Sequence, residues 1–213
     1  LAARSDDSHS NLGWDSTRGA LVSHPLPVGA EKIFVGLTVS PPGLVIMKGG
    51  FSAFKLALDG VTDAEAGAWL DARLGDVGLQ PASPVALPYD LPVGAAETTA
   101  YAPQGLEHAL LALGAWFALS DSVLSDFARG QADLRPGASP VRCWPHHLDI
   151  ATYVQLEDGD AESARAVGVG MSPGDEAYDQ PYFYVNAWPR LAVDRLPAGR
   201  GGALPGRVLL DKP

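Results

Sequence analysis

Alternating apolar and polar positions predict β-strands in two separate parts of the chain. β-Branched residues are frequent in these runs, and Gly/Pro turns separate them. The first group comprises strands near residues 33–39, 44–48 and 51–58. The second group comprises strands near residues 146–156, 164–171 and 181–188. The short connections within each group are typical of antiparallel meanders.

Between the two groups, apolar residues at three- and four-residue steps predict two long helices, near residues 62–75 and 105–129. Thr62 opens the first helix, and Glu65 follows three positions later, which is the pattern of a capping box. The second helix carries an apolar stripe that includes Leu110 and Phe117. We expect both of these side chains to be buried.

Two groups of hairpin-linked strands on either side of helices are typical of an α+β fold rather than of a βαβ series. We therefore predict about six strands in antiparallel β-meanders packed with two long helices. Residues 13–213 are predicted to form a single domain. Residues 1–12 are polar and are predicted to form a mobile N-terminal segment.

The second meander predicts a polar trough. If the apolar sides of its three strands align on the core face, Tyr153 pairs with Gly168 and Ala151 pairs with Gly170. The opposite face then has a floor of small residues between aromatic and polar walls, which is typical of small-molecule sites. The predicted ligand-binding residues are Tyr153, Gly168, Gly170, Tyr182, Tyr184, Asn186 and Trp188.

His147 and Asp149 are the candidate catalytic residues of this trough. On one continuous strand they would point to the same side, and Asp149 could orient His147 as a general base. Alternatively, both could bind one divalent metal ion together with a third ligand, for which Glu176 is the first candidate and Asp175 and Glu107 are others.

A structural role for the same residues stays open. Glycines on a sheet face also allow a helix to pack closely, and His147 and Asp149 could form a structural hydrogen bond. The thiol of Cys143 would lie too far along the strand from His147 to share a proton with it, so we expect a buried, inert cysteine.

Charge and composition narrow the classes of partner. The chain has 15 Lys+Arg against 25 Asp+Glu, a formal net charge of −10, which disfavours nucleic acid and anionic membranes as partners. One cysteine excludes a disulfide within the chain and a cysteine-rich zinc site. We expect no segment to be apolar enough to span a membrane, and we see no signal-peptide pattern at the start of the sequence, so we predict a cytoplasmic protein.

Several motifs resemble those of a family of uncharacterised bacterial proteins. They are Ser139-Pro140-Val141-Arg142-Cys143-Trp144-Pro145-His146-His147-Leu148-Asp149-Ile150-Ala151-Thr152, residues 168–175 with Tyr178, residues 181–185 with Trp188-Pro189, and residues 12–14 and 21–27. The resemblance covers nearly the whole chain as one domain and implies no established activity.

The C-terminus departs from the pattern of that family. Its members often end with a Trp-His-Thr-Glu-Gly-like segment, where residues 201–207 of this chain read Gly-Gly-Ala-Leu-Pro-Gly-Arg. If that segment supplies site residues in the family, the resemblance implies a weakened site here.

Two functions are consistent with the sequence. The first is a small-molecule enzyme, with or without a metal ion, that uses His147 and Asp149 in the aromatic-lined trough. The second is a non-catalytic module that binds a small ligand or a partner through the aromatic wall, with His147 and Asp149 as a structural pair.

Overall fold

The computed structural model describes residues 8–80, 99–159, 163–175 and 178–189. It confirms the α+β fold, with two helices and two antiparallel sheets of six and five strands. Contacts divide the chain into two compact units, one over residues 9–118 and the other including the described residues from Leu119 onward. We describe each unit by itself, and the single domain over 13–213 stays a prediction.

The N-terminal unit contains the six-stranded sheet, in the order β1-β2-β4-β5-β6 with β3 also paired to β4. The first three strands were not predicted, because each has three residues and is too short to display an alternating pattern. The strands are β1 (Gly13–Asp15), β2 (Ala20–Val22), β3 (Leu26–Val28), β4 (Glu31–Thr38), β5 (Gly43–Lys48) and β6 (Phe51–Ala57).

Helix α1 (Asp63–Asp76) begins with the predicted capping box. The backbone N–H of Glu65 donates to the Thr62 hydroxyl at 3.2 Å, and the Thr62 N–H donates to the Glu65 carboxylate at 2.9 Å. These two bonds satisfy donors that a helix start otherwise leaves unpaired. Val77, at the end of the helix, then packs against Ile33 and Ile46 of the sheet in a core cluster where Val77 is 8% exposed and the two isoleucines are fully buried.

Helix α2 (Glu107–Gly130) carries the second predicted apolar stripe. Phe117 is 1% exposed and stacks on Trp14 of β1, with ring centroids 5.5 Å apart and ring planes 25° apart. Burial of Phe117 is therefore confirmed, whereas Leu110 is half-buried. Stacked rings of this kind contribute more than their buried area alone.

The length and composition of α2 are also sufficient to cross a membrane, contrary to the sequence expectation. Its most apolar window has a mean hydropathy of 1.3, and 17% of that window is buried. A single helix of this kind is weak evidence for a membrane span, because core helices of soluble proteins meet the same criteria. Cytoplasmic location and the exclusion of a membrane partner stay predictions.

The C-terminal unit contains the five-stranded sheet, in the order β11-β10-β9-β7 with β8 also paired to β9. β8 pairs with β9, β9 with β10 and β10 with β11, each antiparallel, so the predicted meander is present. The strands are β7 (Gly137–Ala138), β8 (Arg142–Trp144), β9 (Asp149–Gln155), β10 (Ala166–Ser172) and β11 (Tyr182–Trp188).

One predicted strand begins later than expected, because its first residues form a turn. The segment expected to form a strand over 146–156 begins with a turn over residues 145–148, which joins β8 to β9. The N–H groups of His147 and Leu148 both donate to the carbonyl of Trp144, at 3.2 and 2.8 Å. Leu148 has a φ of 52°, a left-handed conformation that ends strand geometry. The regular alternation of side chains therefore starts at Asp149.

We expect Phe117→Ala to lower the free energy of unfolding by about 3–5 kcal/mol, because it removes buried area and leaves a cavity beside Trp14. The matched control is Leu111→Ala on the same helix, where the side chain is 60% exposed and the change should stay within about 0.5 kcal/mol. Urea denaturation of both variants measures the difference. Equal losses would contradict the assignment of Phe117 to the core.

Candidate functional site

The register predicted for the trough is present in the C-terminal sheet. Tyr153 lies opposite Gly168, and Ala151 lies opposite Gly170. Strand β11 completes the same face, with Asn186 opposite Gly168 and Tyr184 opposite Gly170. Alternation along each strand thus brings the predicted ligand-binding residues to one side of the sheet.

His147 and Asp149 are not neighbours on one strand. His147 lies in the turn before β9 and is exposed, and its ring contacts the edge of the His146 ring at a centroid distance of 4.4 Å. Asp149 is the first residue of β9 and is 9% exposed. The left-handed Leu148 between them breaks the alternation that was expected to align the two side chains.

Asp149 instead pairs with Tyr184. The Tyr184 hydroxyl donates a hydrogen bond to the Asp149 carboxylate, across the strand that lies between them. The phenol ring passes directly over Gly170, since a Cβ atom at that position would lie 2.5 Å from the Cζ and hydroxyl oxygen of Tyr184. Tyr184 is 7% exposed and therefore fills the Gly170 end of the trough.

Burial favours the protonated form of two groups near this bond, the Tyr184 phenol and the Cys143 thiol. Loss of water contact, together with the Asp149 charge, raises the pKa of Tyr184 well above its usual value. The same two causes raise the pKa of the Cys143 thiol, which is fully buried. Cys143 is thus confirmed as a buried cysteine, and at neutral pH it lacks the thiolate that a nucleophile requires.

A second tyrosine–aspartate pair extends the network along the sheet. The Tyr182 hydroxyl donates to the Asp175 carboxylate at 2.6 Å, and burial followed by this hydrogen bond raises the pKa of Tyr182 to about 12. The ring centroid of Tyr182 lies 5.3 Å from that of Tyr178 and 6.4 Å from that of Tyr184. Asp175 was considered in the sequence only as a metal ligand, and its use as a tyrosine partner was missed.

The other end of the trough, at Gly168, is open. Within the described residues, a Cβ atom at Gly168 would meet only Asn186 within 4 Å, at 3.9 Å. Tyr153 and Asn186 are half-buried on either side of it, and Trp188, one step along β11, is 39% exposed. The trough is therefore divided into a half that Tyr184 fills and a half where, among the described residues, the floor has room for a Cβ atom.

The opposite face of β11 differs from expectation. The apolar side of this strand was expected to face the core, but its residues Phe183 and Val185 are 38% and 41% exposed. Among the described strands, β11 pairs only with β10 and lies at the edge of the sheet. An edge strand has neighbours on one side only, which explains why its apolar side chains are not enclosed.

The metal hypothesis has no further support from the described residues. They contain no group of three or more His, Cys, Asp or Glu side chains that could hold a metal ion. Asp149 has one carboxylate oxygen engaged by Tyr184, and Glu176 lies outside the described residues. A metal site formed by His147, Asp149 and Glu176 stays a prediction.

A scan against protein-family models finds no match to this chain, and searches of the curated proteins and of the solved structures find none either. The resemblance to a family therefore rests on the sequence motifs alone.

We expect Tyr184→Phe to lower the free energy of unfolding by about 1–3 kcal/mol, because it leaves the buried Asp149 carboxylate without this donor. The raised pKa also gives a pH signature. The Tyr184 phenol contributes full stability below its unfolded pKa of about 10 and progressively less as the pH rises further. Unfolding measured across this range should show a steeper alkaline loss in the wild type than in Tyr184→Phe. Parallel curves would contradict the buried phenol.

The two glycines of the floor should respond differently to a methyl group. Gly170→Ala places a Cβ 2.5 Å from the Tyr184 ring and 2.8 Å from the Cβ of Ala151, so we expect a loss of about 1–3 kcal/mol. Gly168→Ala has room for its Cβ and should be neutral or slightly stabilising. Thermal melts of the two variants provide the comparison, and a larger loss for Gly168→Ala would refute the division of the trough.

Proposed function

We propose that this chain is a non-catalytic binding module, whose C-terminal sheet holds a small uncharged ligand over Gly168. The observation that carries the proposal is the Tyr184–Asp149 bond. The carboxylate expected to serve catalysis is buried and engaged by a phenol that is itself held protonated, while His147 lies on an exposed turn. Such an arrangement stabilises the sheet and leaves binding to the open end of the trough.

The floor at Gly168 supports close approach by a flat ligand. A glycine in a strand leaves the backbone accessible, and Tyr153 and Asn186 stand on either side of it. Tyr and Trp offer apolar rings that also carry a polar group, so a ring-shaped ligand could stack on one face and form hydrogen bonds at its edge. The amide of Asn186 has no hydrogen bond within the described part of the chain, which leaves it available to a ligand.

The charge around Gly168 favours an uncharged ligand. Its neighbours on this face, directly across, diagonally and along β10, are all neutral side chains. They are Ala151, Tyr153, Gln155, Ala166, Gly170, Tyr184, Asn186 and Trp188. A charged ligand would lose hydration over Gly168 without an ionic partner among these neighbours, since Arg142, opposite Ala151 on β8, lies one strand further away. A pyranose sugar, with a flat C–H face and hydroxyl groups at its edge, has the matching chemistry.

A panel of 4-nitrophenyl glycosides tests binding and catalysis in the same experiment. Ligand-observed NMR should detect binding of at least one glycoside to the wild type and its loss in Gly168→Val, which fills the floor without unfolding the sheet. Val185→Thr, on the opposite face of β11, is the matched control and should bind like the wild type.

Absence of binding by every glycoside, or unchanged binding by Gly168→Val, would contradict the proposal. Release of 4-nitrophenol that is lost in His147→Ala would instead establish the catalytic function weighed in the sequence analysis. Circular dichroism of each variant verifies that the fold is retained, so that a loss of binding reports on the site.

A further inference from the structure

The N-terminal unit contains a surface cleft of about 380 Å³ that neither the sequence patterns nor the trough accounts for. This volume lies within the range of small-molecule sites, about 300–1,000 Å³. The cleft is formed where the β4–β5 turn, the end of β6, the segment before α2 and the first turn of α2 meet. The lining residues that matter here are Pro41, Pro42, Asp59, Pro103, Glu107 and Leu110.

Backbone hydrogen bonds fix the walls of the cleft. The N–H of Leu58 donates to the carbonyl of Pro42 at 3.1 Å, which attaches the β4–β5 turn to the end of β6. The N–H of Gly60 donates to the carbonyl of Tyr101 at 2.9 Å, and the N–H of Tyr101 donates to the carbonyl of Val61 at 2.8 Å. Pro41, Pro42 and Pro103 stiffen the walls further, because the proline ring restricts the backbone φ angle. A cleft held in this way needs little ordering when a ligand binds.

The cleft combines apolar walls with two carboxylates. Pro41, Pro42, Pro103 and Leu110 supply the apolar surface, and Asp59 and Glu107 supply the charge. The Gln104 amide donates to the Asp59 carboxylate and fixes its position. Hydrogen bonds from its own backbone N–H and then from the N–H of Gly105, at 3.1 Å, hold the pKa of the Glu107 carboxyl below its usual value. None of the described lining residues is Lys, Arg or His, so neither carboxylate has a cationic partner in the lining.

From this combination we infer that the cleft binds a small organic ammonium ion, with its hydrocarbon part against the prolines and Leu110 and its charge near Asp59 and Glu107. An anion would meet two negative charges, and a neutral apolar molecule would leave both carboxylates unused. This site is independent of the trough and differs from it in ligand class, so either proposal can fail without the other.

Benzylammonium chloride is the probe, and benzyl alcohol is its uncharged counterpart of similar shape. Calorimetric titration and ligand-observed NMR of the full chain should detect weak binding of the ammonium ion and much weaker binding of the alcohol. Glu107→Gln retains an oxygen that can accept the Gly105 N–H but removes the charge. It should weaken binding about two- to fivefold, as expected for an exposed ion pair.

Asp59→Asn combined with Glu107→Gln should weaken binding about four- to twenty-five-fold, if the two charges act independently. Asp71→Asn is the matched control, since it removes an exposed carboxylate of α1 outside the lining and should leave binding unchanged. Thermal melts verify that each variant is folded.

Three results would overturn the inference. They are no binding of benzylammonium at millimolar concentration, equal binding of benzyl alcohol, and equal losses in Asp71→Asn and Glu107→Gln. Calcium chloride tests the remaining alternative. If Ca²⁺ displaces benzylammonium and the double variant abolishes the heat of Ca²⁺ binding, the cleft is a metal site and the inference is wrong.

Discussion

A phenol on one strand reaches a carboxylate two strands away because the strand between them has almost no side chains on that face. Ala166, Gly168 and Gly170 leave the surface of β10 low enough for the Tyr184 ring to lie across it. The hydroxyl then meets Asp149, a charge that burial would otherwise make costly. The structure depends on this crossing of the Tyr184 ring over β10 in three ways. It keeps the tyrosine neutral, it positions Asp149, and it closes the Gly170 end of the trough.

The two carboxylates at the centre of the proposals illustrate how surroundings decide a role. Asp149 is buried against a phenol donor and serves the sheet. Glu107 is exposed at the start of α2, where backbone N–H groups favour its charged form. A carboxylate therefore forms a buried structural hydrogen bond in one unit and is exposed to cations in the other. The sequence analysis considered the first for catalysis or metal binding and the second only as an alternative metal ligand.

Period-two alternation in the strands, together with three- and four-residue spacing in the helices, was sufficient to predict the α+β fold. The alternation also predicted the pairing of Tyr153 with Gly168, since a shift by one residue would expose the apolar side of β9. It failed before Asp149, because the turn at 145–148 places a bulky leucine in a left-handed conformation that no propensity rule favours. Nor could it show where the Tyr184 ring points, which depends on space above Gly170. The cleft was missed because its lining comes from four separate segments.

The crossing of Tyr184 over Gly170 also constrains how this sequence can diverge. A side chain at position 170 requires a smaller residue at 184, and a smaller residue at 184 leaves the charge at 149 without its donor. Positions 149, 170 and 184, on three strands, are therefore coupled. A single change at one of them lowers stability, whereas a matched change at all three is tolerated. Within the described residues a Cβ at Gly168 would meet only Asn186, so folding constrains position 168 less than it constrains positions 149, 170 and 184.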